Sequence, residues 1–407
     1  MPKPANLEEL KLPVTHVSVR EARRLANQVT LGQLTSMVSN DSAADISEVL
    51  RREVTAYSRL VDDLAVAFAS ASNNKTLNGD PQPSVATGLL DLPVDGSVKV
   101  IRSLDRTVLD LAHATQEYDE FPSHVPKEIA ATLNQVIRSG KTLFQLHHSF
   151  VIEIGPSHVV KVAMSLDPDH IDNIEYLAAH VPELPIPRCL GVLRSGQRTY
   201  LFMSRALGTT LESIWPELST TQKISVQKQL NFSLRLLRNQ TARDSESDVR
   251  LGSFVSGLCK DIRRAHRVSS GILRTEAEFN DFLLEHPNKT VTPRVKMIRC
   301  CMKDNHRIVM IHGDLHPRNI MVHLEANESP PTQGKVIHTE EKVIRVSSII
   351  DWEVAGWYPE SWEFVKAVSM IDTRGPLSDW FDYLPTNAIG YFPMEFSIDC
   401  LLDQWLG

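Results

Sequence analysis

The chain reads as an α+β protein of two lobes, a small β-rich lobe followed by a large helical one, behind an extra helical N-terminal region. Three observations lead there. Apolar residues recur at helical spacing before about residue 122 and at strand spacing soon after it. Five short β-rich runs with one helical insert lie between 142 and 203. From Leu211 to Lys303 the spacing of Ile224, Leu230, Leu234 and Leu237 is helical again.

In residues 1–121, Ile46, Val49, Leu50, Val54, Tyr57, Leu60, Val61, Leu64 and Phe68 line one face of a long amphipathic helix, with Ser42 or Asp45 as its cap. Val17 to Val38 carries a weaker helical pattern. Asn73 to Pro93 holds three prolines among Asn, Gly and Asp, and reads as a loop. Val98, Ile101, Leu104, Val108, Leu109 and Leu111 predict a further helix. This region gathers no site-like set of His, Cys or carboxylates. It is expected to be a packing extension or a surface for a protein partner.

Residues 122–407 are expected to form the second unit, with a small lobe over about 126–205 and a large lobe over 206–407. A helix enters at Pro126 and runs to Ser139, proline being favoured in a first helical turn. Thr142–Leu146, Phe150–Ile154 and His158–Val162 follow as an antiparallel meander, separated by turn residues. A helix over Pro168–His180 comes next. Strands over Cys189–Leu193 and Thr199–Met203, joined at Ser195-Gly196, complete five antiparallel strands.

Bulk properties narrow the function classes. At 407 residues the chain can bury a large core and hold more than one folding unit. A net charge of -7 gives no electrostatic support for a nucleic-acid scaffold. No stretch has the length and apolarity of a membrane span, and the first residues lack an apolar signal core. The five cysteines form no C-x-x-C pair, so reduced thiols in a cytoplasmic protein are expected rather than a zinc site or disulfides.

The chemistry concentrates in Ile311-His312-Gly313-Asp314-Leu315-His316-Pro317-Arg318-Asn319-Ile320 and in Ile349-Ile350-Asp351-Trp352-Glu353. A loop Asp, an Asn shortly after it and an Asp ending a later strand suit a magnesium-dependent phosphoryl transferase. One Asp orients and deprotonates the acceptor hydroxyl, while the Asn and second Asp hold the cation. Lys161 lies mid-strand, and Glu175 follows it on the next helix, a sequence order in which a buried Lys clamped by a helix Glu grips phosphate oxygens. Taken singly, each residue has a plainer reading: an outward strand Lys, a turn Asp after Gly, an Asx-turn Asn. Their joint order favours the site. His312, Asp314 and His316 also spell a His-x-Asp-x-His metal array, as in some hydrolases, but that reading leaves Lys161 and Glu175 without a role. His316 and Arg318 are expected to position the loop, and Arg318 has a second reading as a contact to phosphate or to an acidic substrate.

These motifs resemble the aminoglycoside phosphotransferase and choline-kinase-like group of protein-kinase-fold enzymes, fungal members especially. The resemblance extends through Val354-Ala355-Gly356-Trp357-Tyr358-Pro359-Glu360, Met203-Ser204-Arg205-Ala206-Leu207-Gly208-Thr209-Thr210-Leu211 to Trp215, and Glu276-Ala277-Glu278-Phe279-Asn280-Asp281-Phe282-Leu283. It covers about residue 126 to the end and not the first 120 or so residues. It implies a two-lobed protein-kinase-like fold using ATP and Mg2+, with Asp314 as catalytic base and Asn319 and Asp351 as metal ligands. Lys161 and Glu175 become the phosphate-gripping pair, and Leu201 to Met203 the hinge strand facing adenine. The first hairpin turn, His147-His148-Ser149, lacks the glycines many relatives use, which leaves Ser149 and backbone amides to contact phosphate or to form an ordinary turn. A polar, Pro-rich insertion, His323 to Gly334, stands where relatives have a tight turn.

The expected activity is transfer of the ATP γ-phosphate to a hydroxyl of a small molecule. The alternative is a catalytically silent kinase-like module that binds nucleotide or a partner. A protein kinase is disfavoured, because neither a glycine loop nor a recognisable activation segment is present. Asp372, Asp379, Asp382, Glu395 and Asp399 make the C-terminal region acidic, which fits either a cationic acceptor or a solvated surface.

Overall fold

The computed structural model describes residues 90–112, 123–146, 149–164, 166–241, 250–261, 267–285, 291–325, 342–372 and 374–406. These belong to one compact unit, Leu90–Gly407. The helices expected over 17–38 and 42–68, the turn at His147-His148 and most of the insertion after His323 lie outside the described residues.

The small lobe begins with β1 (Lys99–Arg102), α1 (Arg106–Leu111) and α2 (Lys127–Ser139). The meander is β2 (Lys141–Leu146), β3 (Ser149–Gly155) and β4 (His158–Met164); α3 (Pro168–His180), β5 (Cys189–Ser195) and β6 (Arg198–Ser204) follow. All six strands form one antiparallel sheet in the order β1-β5-β6-β4-β3-β2. In β3, Phe150, Ile152 and Ile154 are buried and alternate with half-buried neighbours, the strand period the sequence shows. Asp167 caps α3 by accepting the Asp169 N–H, and Pro168 stands in its first turn.

Two expectations are corrected here. The helix read across Val98–Leu111 is a strand followed by a short helix. Lys99 and Val100 pair with Arg194 and Leu193, and the Asp105 carboxylate then starts α1 by accepting the Thr107 N–H. A strand and a helix in succession had imitated one helical stripe. The sheet therefore has six strands rather than five, and β1 and α1 belong with it. Both lie in the same compact unit as the rest of the sheet, Leu90–Gly407.

The large lobe opens with β7 (Thr209–Thr210), α4 (Leu211–Ile214) and α5 (Thr220–Gln240). Ser219 and Gln222 form a reciprocal capping box at the start of α5. The described residues between Arg250 and Leu273 are not helical as expected: they form loop and turn, with β8 (Lys260–Asp261) paired to β9 (Arg267–Val268). Its Gly252 exchanges both backbone hydrogen bonds with Trp357, at 2.8 and 2.9 Å. A side chain at Gly252 would meet the Leu258 carbonyl carbon at 2.4 Å, so only glycine permits this approach.

Next come α6 (Glu276–Leu284), α7 (Pro293–Arg299), β10 (Ile308–Ile311), β11 (Ile320–Glu325), β12 (Val343–Ile349) and β13 (Gly356–Pro359). The chain closes with α8 (Ser361–Ser369), α9 (Thr386–Ile389) and α10 (Pro393–Leu406). β11 lies between β12 and β7, and β10 pairs with β13. One apolar cluster joins Val159, Leu201 and Met203 of the sheet to Leu230, Leu234, Trp352 and Phe364 of the helical lobe. The lobes thus share a core, and the junction between them is held in register. No helix among the described residues is long and apolar enough to cross a membrane.

Candidate active site

The loop between β10 and β11 is built by buried hydrogen bonds. Gly313 adopts φ 79, and a Cβ there would stand 2.6 Å from the Val354 carbonyl oxygen, so glycine lets this loop pass against the segment after β12. Glu363 of α8 is 1% exposed; its carboxylate accepts the N–H groups of His312 (2.6 Å) and Gly313 (3.2 Å). His312 Nδ1 accepts the Asp314 N–H at 3.1 Å, which assigns the ring proton to Nε2, 3.0 Å from the Ile350 carbonyl. His316 Nδ1 accepts the Arg318 N–H, and burial, reinforced by the Arg318 charge, pushes this ring down to about 4. Both rings thus spend Nδ1 on loop amides, which removes the His-x-Asp-x-His metal reading.

Asp314 is 8% exposed and held on two sides. Arg318 Nη2 donates to both of its oxygens at 2.9 Å. Asn319 Nδ2 donates to its Oδ2 at 2.8 Å and to its backbone carbonyl at 3.0 Å. The spacing of five between Asp314 and Asn319 lets the amide reach back over a 3₁₀ turn, Pro317–Asn319. The Ile350 N–H donates to the Asn319 carbonyl at 2.8 Å, which sets Asp351 beside this loop.

Asp351 has φ 69, the only left-handed backbone among the described non-glycine residues. Asp tolerates that region better than most residues, and such outliers concentrate at functional sites. Its Oδ1 lies 3.1 Å from Lys161 Nζ, and Glu353 Oε2 lies 3.8 Å from the same amine. The Nδ1 atom of His170, on α3, is 3.7 Å from Asp351 Oδ1 and 3.9 Å from Glu353 Oε2. Asn173, one turn further along α3, donates to the carbonyls of Trp352 (2.7 Å) and Ala355 (3.3 Å), so the helix pins the Asp351 segment.

The charges are tightly coupled. Burial is the largest single influence and works to raise the Asp351 carboxyl, but the Lys161 ammonium together with the His170 and His312 rings outweighs it, and the net displacement is downward. Burial and the Asp351 charge together raise the Glu353 carboxyl. Burial first, then the Lys161 charge, pushes His170 down to about 3, so its ring is neutral. His170, Asp351 and Glu353 each offer a ligand atom, all within 4.8 Å of one another.

The structure brings together Lys161, Asp314, Asn319 and Asp351 but not Glu175. The expected Lys161–Glu175 clamp is corrected: Glu175 is half-exposed and binds Arg102 of β1 at 3.0 and 3.1 Å. Five residues along a helix turn the side chain about 140° from His170, so Glu175 leaves the inner face. His170 stands there in its place. Ser149 opens β3 opposite Ala163 and is half-buried; Met203, 8% exposed, pairs with Val159 and Cys189 near the end of β6. Among the acidic residues expected near an acceptor, Asp379 is bound by Lys223 and the Trp215 indole, and Glu395 by Lys303. His170, Asn173 and Glu363 escaped the sequence reading, and Glu353 was quoted in its motif without a role. The stripe 170, 173, 174, 177 on α3 carried the signal for the first two.

A family model described as the phosphotransferase enzyme family matches residues 168–384, more than half of the chain. A search of curated proteins found no significant match. Among solved structures, the chain is similar to an aminoglycoside-3'-phosphotransferase of type VIII, at 14% identity and a TM-score of 0.39 over 66% of this chain and 93% of that one. It is also similar to the aminoglycoside phosphotransferase APH(3'')-Id of Streptomyces rimosus (11% identity, TM-score 0.37, 67% and 94% of the two chains). A third is APH(2'')-IIa in a ternary complex with streptomycin and ATP (13%, 0.37, 69% and 86%).

Proposed function

The chain belongs to the phosphotransferase enzyme family, and from that premise we propose that it moves the γ-phosphate of ATP, with a divalent cation, onto a hydroxyl of a small molecule. The observation that carries this reading is the meeting of Lys161 Nζ and Asp351 Oδ1 at 3.1 Å, 190 positions apart in sequence. An ammonium and a carboxylate held at the junction of two lobes are what a bound nucleoside triphosphate and its cation require.

Asp314 accepts the proton of the acceptor hydroxyl as its oxygen bonds to the γ-phosphorus and the bond to the β-phosphate oxygen breaks. Asn319 fixes the Asp314 carboxylate through its amide nitrogen, leaving its amide oxygen for the cation. Asp351 is the second cation ligand, and its left-handed backbone aims it. With a cation held by Asp351, Lys161 would be free to contact the α- and β-phosphates. Ser149, in the first hairpin, and Met203, at the end of the hinge strand, contact phosphate and adenine in this reading. Residues present fit a cation, since Asp351 and Glu353 supply hard oxygen donors around the unpartnered, buried Nδ1 of His170. A divalent cation bound there would neutralise charge developing on the phosphates.

ATP turnover measured over a panel of hydroxylated small molecules tests the proposal. Wild type turns over with at least one acceptor, chelation of the cation stops it, and Asp314→Ala lowers kcat by about 10²–10⁴. Equal turnover in that variant refutes the assignment. One observation favours a silent nucleotide-binding module instead: Glu175 lies with Arg102 and does not clamp Lys161. Stabilisation by ATP and cation with no transfer to any acceptor identifies that case.

A further inference from the structure

We propose that His170 and Glu353 join Asp351 in a mixed nitrogen–oxygen cation site, so that this protein prefers a first-row transition ion such as Mn2+ over Mg2+. The inference rests on the reading above that Asp351 holds the cation, and extends it to which cation that is.

His170 is 2% exposed, and its Nδ1 has no hydrogen-bond partner although it is buried. A buried ring nitrogen left unpaired costs free energy unless something binds it. It is aimed at two carboxylates, 3.7 Å from Asp351 and 3.9 Å from Glu353. Lys161 supplies one positive charge against these two acidic groups, at 3.1 and 3.8 Å. The Lys161 ammonium donates to Asp351, and no hydrogen bond from it reaches the His170 Nδ1. A divalent cation satisfies all three donors together and releases Lys161 for the phosphates.

The donor set also bears on identity. Mg2+ takes oxygen ligands almost exclusively, while imidazole nitrogen raises affinity for first-row transition ions in the order Mn2+ to Cu2+. His170 on α3 adds a nitrogen to a donor set that Asp351 and Glu353 alone would leave all-oxygen. Asn173 holds α3 against the Asp351 segment, so the ring is fixed where the cation binds.

The test uses the full chain and Mn2+ alone, without nucleotide, read by electron spin-echo envelope modulation and by titration. Expected is ¹⁴N modulation from a directly bound imidazole in wild type, absent in His170→Gln, whose Mn2+ affinity falls on the order of tenfold while its Mg2+ affinity changes little. Bound Mn2+ that Asp351→Asn abolishes but that shows no ¹⁴N coupling overturns this inference and leaves the Asp351 assignment standing. Modulation persisting in His170→Gln overturns it equally. Mn2+ that fails to bind, or binds indifferently to Asp351→Asn, removes both.

Discussion

Asp351 is held where its backbone is least at ease, and Lys161 is the nearest partner of its charge. The resemblance named that residue, together with Asp314 and Asn319, because a fixed spacing within a loop motif can be read directly from sequence. It misassigned Glu175, because the order Lys then Glu says nothing of helical phase. Lys161 and Glu175 therefore separate experimentally. Lys161→Ala is expected to raise the KM for ATP by about tenfold or more, since it removes the cationic contact to phosphate. Glu175→Ala removes only a half-exposed pair with Arg102, worth about 0–1 kcal/mol, and leaves the KM within about twofold. Steady-state kinetics on the two variants decides; equal effects would restore the Lys–Glu clamp.

At the scale of elements, α3 carries the site's second half. Its span, Pro168 to His180, was legible, as was the helical spacing along α5. Which face of α3 turns inward was not, because polar His170 and Asn173 sit on the buried stripe and hide its apolar period. β1 was misread for a related reason: four residues are too few to establish a period of two, and its pairing with β5 is decided some 90 positions away. The Asn173 contacts make a prediction at this scale. Asn173→Ala leaves the buried Trp352 and Ala355 carbonyls without their donor and should cost about 1–3 kcal/mol by urea denaturation. It should also weaken cation binding by loosening the Asp351 segment. Unchanged stability would show that α3 does not pin this segment.

The whole molecule unites two lobes through one core, so loss of packing at the junction is expected to reach the site as well. Two of the buried histidines make stability depend on pH. His170 is pushed down to about 3 and His316 to about 4, both from the usual 6.5. Below pH 6.5 the unfolded chain takes up protons that the folded rings refuse, so stability falls as pH drops toward 4. At pH 5 the loss relative to pH 7 is about 2 kcal/mol per histidine. Urea midpoints at the two pH values check this, with His316→Asn flattening part of the slope; coincident midpoints would mean the rings are not buried neutral.

The most direct test of the account is mass spectrometry of a metabolite extract incubated with the protein, ATP and a divalent cation. Wild type is predicted to add one phosphate to a small hydroxylated compound, and Asp351→Asn to add none. Phosphorylation undiminished in that variant, or no compound gaining phosphate with wild type, would contradict it.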